Sequence, residues 1–330
     1  MVVSIGMRVQ DGPWGGGNQF GASLAAFLRT HGVRVIFDLQ DPAIDVILLT
    51  EPRGELRTSA YTDAEIEQFQ SLHGRRAVVV DRVNECDERK GTQGVNARLR
   101  QANRVADATV FISSWLMDLH RQQGMAPRRP RVILNGADRS IFHPRGRAVW
   151  RGTGPLRLVT HHWGANHLKG ADTYTMLDGL LDDPKVRDVL AFTYIGNPPE
   201  GVRFRNVTLV PALHGHDLAT AIRANHVYVT GSQNEPAGMH HIEGAACGLP
   251  LLYRRSGALP EYCSAFGVGF DGPDLQQALQ QLALSYHVWA DRVQSYPYSA
   301  EAMCRQYLGL FEELVQQRDR SFSYNALGVH

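Results

Sequence analysis

Lysine is scarce in this chain. Of its 34 basic residues only Lys90, Lys169 and Lys185 are lysines, and 33 acidic residues leave a net charge of +1. Such a balance provides no bulk attraction to nucleic acid, so none is expected as a partner. Cysteine is sparse too. Cys86, Cys247, Cys263 and Cys304 lie far apart without CxxC spacing, which excludes a zinc ribbon and argues against a disulfide framework. Reduced thiols in a cytoplasm are the expectation. No apolar run approaches the ~18 residues of a membrane span. The segment Met1–Arg8 meets an arginine early and reads as a first strand rather than a signal peptide. There is no HExxH, no DxD, no short-period repeat and no low-complexity tract.

What the chain does have is alternation. Its 330 residues correspond to about two domains. Short β-branched runs at 2–8, 33–37, 45–49, 77–80, 108–112 and 131–134 are separated by helical patterns near 17–30, 63–72, 95–106 and 114–123. A second alternation has strands at 156–160, 190–195, 207–210, 226–230, 250–253 and 267–269. Its helices lie near 169–181, 215–224, 239–247, 273–285 and 299–317. The stretch Arg145–Pro155 is basic, glycine-rich and aperiodic, and reads as a linker. The expected fold class is α/β, with two Rossmann-like doubly wound parallel-sheet domains facing a central cleft. Residues 1–150 form the first domain and 151–298 the second. Residues 299–330 form a C-terminal helix crossing back to the first, with a polar, loose tail after Arg318.

Two constellations carry chemistry. Gly15-Gly16-Gly17-Asn18 lies between the first strand and first helix, where glycines admit a ligand to the backbone and the helix N-terminus offers N–H groups to an anion. A GxGxxG dinucleotide pattern does not fit, because its third glycine position is Phe20. No GK[ST] follows, so it is not a P-loop either. A tight turn entering a helix is the plain alternative. The second runs from Asn234-Glu235-Pro236-Ala237-Gly238-Met239 to Glu243 and on to Cys247-Gly248-Leu249-Pro250. Glu235 precedes a helix, Glu243 lies about a turn and a half inside it, and the amides of Gly238 and Met239 point between them. That arrangement suits an anionic ligand flanked by hydroxyls. A solvated glutamate pair beside a tightly packed helix is the competing reading.

The segment Glu235–Pro250 resembles the Glu-x7-Glu and Ala-Cys-Gly-x-Pro motif of retaining glycosyltransferases of family 4, which have the GT-B fold. Further similarities follow in order: the glycine loop, Ser113-Ser114-Trp115-Leu116, Asn135-Gly136-Ala137-Asp138 with Phe142 and Pro144, Lys169-Gly170 with Asp172, and Ser256-Gly257-Ala258-Leu259-Pro260-Glu261. The resemblance implies a nucleoside diphosphate sugar as donor and a hydroxyl acceptor. It implies Glu243 on the ribose hydroxyls, Glu235 at the donor sugar, and Lys169 on the diphosphate. Gly16 and Gly17 would approach the same phosphate, and the amides after Pro236, those of Ala237, Gly238 and Met239, would complete the anion pocket of the Pro236–Met239 segment. Glu235 and Lys169 are then the catalytic pair.

There are departures. The family places an arginine about five residues before the lysine, and here that position is Gly164; His161, His162 or Asn166 would have to substitute. The polar run Val80–Lys90 follows a strand where many members carry a histidine, and Arg82, Asn84 and Asp87, with Asn18, are acceptor-site candidates; a solvated, ion-paired loop is the alternative. The pairs His161–His162 and His240–His241 resemble metal ligands, but adjacent side chains diverge on strands and helices alike. No metal and no cofactor is expected. Arg128, Arg129 and Arg131 read as a solvated loop, with weak peripheral contact to anionic lipid as the alternative. The reading is a sugar-transferring enzyme. Its rivals are a nucleotide-sugar epimerase on the same scaffold and a non-catalytic nucleotide-sugar binder.

Overall fold

The computed structural model describes residues 1–10, 16–74 and 76–326, the last five of these by backbone alone. The chain divides into two compact units. One comprises Met1–Asp87, Thr92–Leu134 and Ala300–His330; the other comprises Glu88–Gly91 and Asn135–Ser299.

In the first unit the elements run β1 (Val2–Ile5), α1 (Gly16–Thr30), β2 (Arg34–Ile36), β3 (Val46–Leu49), α2 (Asp63–His73), β4 (Val78–Val83), α3 (Val95–Ala102), β5 (Ala108–Phe111), α4 (Ser114–Gln122) and β6 (Pro130–Val132). The six strands form one parallel sheet in the order β2-β1-β3-β4-β5-β6. Both faces are covered, so β3, β4 and β5 are buried at every position and read as unbroken runs rather than alternations. Ser113, in extended conformation, starts α4 by accepting the Leu116 amide at 3.1 Å.

The second unit follows the same logic with β7 (Leu156–His162), α5 (Ala171–Leu180), α6 (Pro184–Arg187), β8 (Leu190–Gly196), β9 (Thr208–Val210), α7 (Gly215–Arg223), β10 (Val227–Thr230), α8 (Met239–Ala246), β11 (Leu251–Arg254), α9 (Leu259–Cys263), β12 (Gly267–Phe270), α10 (Leu275–Leu284) and α11 (Tyr286–Arg292). Its sheet is also six-stranded and parallel, ordered β12-β11-β10-β7-β8-β9. Counted from β7 as the first strand, this is the 3-2-1-4-5-6 order of nucleotide-binding sheets. It reverses between β7 and β10, where ligands of such sheets bind beyond the strand carboxyl ends. The last element, α12 (Ala300–Ala326), packs in the first unit. Met303, Tyr307, Phe311 and Leu314 join Val3, Ile5 and Leu24 in its core.

Several expectations change in detail. Residues 135–150 group with the second unit rather than the first. The Ala148 amide donates to the Arg223 carbonyl at 2.8 Å, and Arg147 and Pro144 lie against Gly248. The tail expected to be loose after Arg318 is helical as far as it is described: α12 continues to Ala326, residues 327–330 lie outside the described residues, and Arg318 itself bonds Asp45 Oδ1 at 3.1 Å and the Arg76 carbonyl at 2.8 Å. The helix expected over 273–285 is followed directly by α11, with the break at Ser285. Asp183 caps α6, its side chain accepting the Lys185 amide at 2.9 Å. Strand β4 runs on to Val83 and so takes in Asp81 and Arg82. Among the described residues no helix is long and apolar enough to cross a membrane.

Candidate functional site

The site lies where the second sheet reverses. The carboxyl ends of β7 and β10 deliver two loops, and glycines fix how closely these approach. Gly170 has φ +102°, and a Cβ there would stand 2.7 Å from the backbone of Gly231. The Leu168 carbonyl accepts the Gln233 amide at 2.7 Å. Lys169, between these contacts, is held against the loop that carries Glu235, and its Nζ bonds Glu235 Oε2.

Glu235 is buried, with 1% of the residue exposed. Asn234 before it adopts a left-handed conformation at φ 49° and donates its amide to Ser256 Oγ at 2.9 Å. The Glu235 carbonyl accepts the Ala258 amide at 2.8 Å. Gly257 lies so close that its missing Cβ would stand 2.4 Å from Glu235 N and 2.5 Å from Glu235 O. The loop Ser256–Ala258 therefore clamps the backbone of Glu235. A second cation, Arg89, places Nε 3.5 Å from Oε1. Burial opposes the carboxylate's charge most strongly, but Lys169 and Arg89 outweigh it and bring the carboxyl down to about 2.

Helix α8 begins after Gly238, at φ 63°, without a side-chain cap. Its first-turn amides thus need another acceptor, and an anion is the natural one. Inside the helix, Gly244 lies on the Tyr228 ring, where a Cβ would come within 2.3 Å. That contact sets α8 close against the sheet. The helix ends in a Schellman turn, Gly248 N to Ala245 O at 2.8 Å and Leu249 N to Gly244 O at 3.3 Å, with Gly248 at φ +84°.

Glu243, buried in α8, pairs with His161 on β7, Nε2 to Oε2 at 2.8 Å. The Tyr228 hydroxyl accepts the His161 amide at 3.1 Å and lies 3.0 Å from Nδ1. The Glu243 carboxylate can only accept, so His161 Nε2 carries a proton and donates it to Oε2. Beneath lie more imidazoles. His162 Nε2 is 2.6 Å from the Tyr174 hydroxyl, and His240 Nε2 is 2.8 Å from Thr230 Oγ1. The His162 and His240 rings approach to 4.7 Å. Burial pushes both well below the ordinary histidine value and takes His241 down to about 3. His241 stacks edge-on against Tyr262 at 5.3 Å, and neither ring nitrogen has a hydrogen-bond partner. Among the described residues no three His, Cys, Asp or Glu side chains are arranged to hold a metal ion.

Measured against the sequence reading, Glu235, Lys169, Glu243 and the Pro236–Met239 segment come together in one unit. The three proposed arginine substitutes do other work: His161 pairs with Glu243. His162 is neutral and buried, a poor counter-charge. Asn166 caps the short turn holding Lys169, accepting the Leu168 amide at 2.8 Å. In the first unit, Gly16 and Gly17 form the first turn of α1, while Gly15 lies outside the described residues. Asn18 is occupied by the backbone of Gln10, accepting its amide and donating to its carbonyl, each at 2.8 Å. Arg82, taken as an acceptor-site residue at a strand end, is instead buried inside β4 with its guanidinium 3.7 Å above the Phe20 ring. Asp87 accepts from Thr92 Oγ1 at 2.9 Å and from the Val95 and Asn96 amides at 3.0 and 2.9 Å, which orders the entry to α3. Asn84 is half-buried just past β4. Arg131 ion-pairs with Glu313 at 3.6 Å. Sequence reasoning missed Arg89, whose only signal was membership of the charge-dense run 80–90, and the clamp at Gly257.

No family model matches the chain. A curated D-inositol 3-phosphate glycosyltransferase of Streptosporangium roseum is 27% identical over 215 residues, 58% of this chain and 49% of that protein. The match thus spans about half the length of that curated relative. Sucrose-phosphate synthase from Thermosynechococcus elongatus superimposes with a TM-score of 0.66 at 16% identity, over 96% of this chain and 99% of that one. Anabaena HepE, solved in complex with UDP-glucose, does so with a TM-score of 0.59 at 15% identity, over 98% and 99%. The chain has the GT-B glycosyltransferase fold.

Proposed function

We propose that this chain is a retaining glycosyltransferase, moving a sugar from a nucleoside diphosphate sugar to an acceptor hydroxyl. The observation that carries the reading is the joint placement of Lys169, Glu235 and Glu243 around the uncapped N-terminus of α8. Glu243 receives the ribose hydroxyls, its free lone pairs complementing the His161 bond. The diphosphate takes the α8 amides and Lys169. Glu235, charged at any working pH, accepts from hydroxyls of the transferred sugar.

In the reaction, the bond between the anomeric carbon and the diphosphate oxygen breaks and a bond from the acceptor oxygen to that carbon forms on the same face. The acceptor proton passes to the departing phosphate oxygen. Lys169 and the helix amides stabilise the charge that grows there, the interaction that strengthens as the bond breaks. With this charge met by protein groups, the scheme uses no metal. UDP is the first nucleotide to try, supported by the UDP-glucose complex of HepE.

The test is release of the nucleoside diphosphate from a panel of UDP- and GDP-sugars, with and without a panel of hydroxyl acceptors, followed by sugar analysis. Acceptor-dependent release with retained anomeric configuration is expected. Conversion of the donor sugar without acceptor would make the protein an epimerase instead. Tight nucleotide binding with no release under any acceptor would make it a binder.

A further inference from the structure

We propose that His161 makes the site selective for ribonucleotide donors over 2′-deoxyribonucleotide ones, by holding the Glu243 carboxylate in one orientation for the ribose hydroxyls. The proposal rests on the donor reading above and narrows its substrate class.

A glutamate carboxylate turns easily. Its last torsion joins an sp³ carbon to an sp² carbon and has no sharp minimum. A carboxylate that turns must be ordered when a ligand arrives, and that ordering costs affinity. Glu243 is held instead. It is buried in α8, and His161 Nε2 lies 2.8 Å from its Oε2. One oxygen is committed to the imidazole, and hydroxyl recognition falls to Oε1.

The imidazole is positioned in turn. The Tyr228 hydroxyl accepts the His161 backbone amide at 3.1 Å and lies 3.0 Å from Nδ1, so main chain and ring are referred to one oxygen atom. The ring of the same tyrosine lies against Gly244, the neighbour of Glu243 in α8. Tyr228 therefore fixes both the histidine and the helix that carries the glutamate. All three side chains are buried. They stand on β7, β10 and α8, and regular elements place a binding group more precisely than loops do.

This arrangement has a consequence for the sugar of the nucleotide. A ribose 2′-hydroxyl donates to the oriented carboxylate. A 2′-deoxyribose brings a C–H to the same place and leaves a desolvated carboxylate oxygen without a donor. A site built to bond a hydroxyl rejects the analogue that lacks it. Donors such as UDP- and GDP-sugars are accepted on this basis, and thymidine diphosphate sugars are not.

The competing role is packing: His161 satisfies a buried carboxylate for folding and has no bearing on which sugar is bound. The two roles separate in the preference for ribose. Calorimetric titrations of the full chain with UDP and 2′-deoxy-UDP, and with GDP and 2′-deoxy-GDP, give that preference for the wild type, His161→Phe and Tyr228→Phe. The wild type is expected to favour the ribose form of its nucleotide by about 10- to 100-fold. In His161→Phe the preference should fall to within about threefold, through a loss of affinity for the ribose form alone. Unchanged affinity for the deoxy form also shows that the site is folded. Tyr228→Phe removes one oxygen and keeps the ring on Gly244, and should lower the preference by about 2- to 10-fold. An undiminished preference in either folded variant overturns the proposal and leaves the donor reading intact. Equal losses for both forms also overturn it, in favour of packing. So does a wild type that binds a diphosphate but does not distinguish its ribose and deoxyribose forms. A wild type that binds neither UDP nor GDP removes the donor reading and the proposal together.

Discussion

Replacing Gly257 by alanine adds one methyl group, yet it is expected to disable the site. The new Cβ would stand 2.4 Å from the nitrogen and 2.5 Å from the oxygen of Glu235, and 2.8 Å from the Asn234 carbonyl carbon. Ordinary contacts begin at 3.4 Å, so one backbone must retreat by about 1 Å. Neither is a flexible side chain that can swing aside. Gly257 also has φ +60°, which adds about 1–2 kcal/mol for any residue with a Cβ. The displaced segment carries Glu235, the carboxylate proposed to face the reacting sugar. A misplacement of that size costs on the order of 10²-fold in turnover. The assay is kcat and KM for the nucleotide sugar, with the melting temperature alongside. Gly201→Ala is the control, since Gly201 has φ +79° but nothing within 4 Å of its Cβ. It shares the conformational cost without moving Glu235. The prediction is a rate loss in Gly257→Ala alone, and a Gly257→Ala enzyme with the turnover of Gly201→Ala would refute the clamp.

Other outcomes follow from the same geometry. Glu243→Ala should weaken nucleotide binding by about 10- to 100-fold in titration calorimetry. Glu235→Gln should leave donor affinity equal or tighter, because it removes a negative charge beside the diphosphate, while turnover falls by about 10²-fold or more. Acidification should destabilise the second unit. His162, His240 and His241 take no proton when folded, but unfolded histidine does below about 6.5, so each lost pH unit favours the unfolded chain. Each such histidine costs about 1 kcal/mol between pH 6.5 and 5.5. Asp81 in the first unit, raised to about 7 by burial, acts in the opposite direction over that range. Melting temperatures should therefore fall with pH, and His241→Phe should flatten the slope; a slope unchanged by this variant would count against the neutral imidazole. Arg318→Ala should lower the unfolding free energy by about 1–3 kcal/mol in denaturant titration, through loss of its bonds to Asp45 and the Arg76 carbonyl.

The strand-and-helix alternation was legible because both sheets are covered on both faces, making their central strands unbroken apolar runs that differ plainly from helical spacing. Glu235 and Glu243 were legible because a turn-and-a-half separation at a helix start has a definite geometry. The polar stretch after Val80 was not. Asp81 and Arg82 look solvated in sequence, yet they are buried by contacts with Asn103 and Phe20, which are distant along the chain. The same limit hid Arg89, 146 positions from Glu235, and the meeting of His162 with His240. Each neighbouring histidine pair does diverge, as local geometry requires, but strand and helix then bring one member of each together. The end of α12 was obscured because its later turns are polar, and the bonds of Arg318 that anchor them are long-range.

The placement of α12 also bears on how the protein is made. Met303, Tyr307, Phe311 and Leu314 complete a core begun by Val3 and Ile5. A ribosome therefore emits the opening sheet long before the side chains that seal it. Apart from Glu88–Gly91, the second unit is one continuous stretch, Asn135–Ser299, so its contacts are available earlier in synthesis. All residues of the second unit are thus emitted before α12 completes the first. Until then the apolar side chains of Val3, Ile5 and Leu24 lack the α12 partners they have in the folded core.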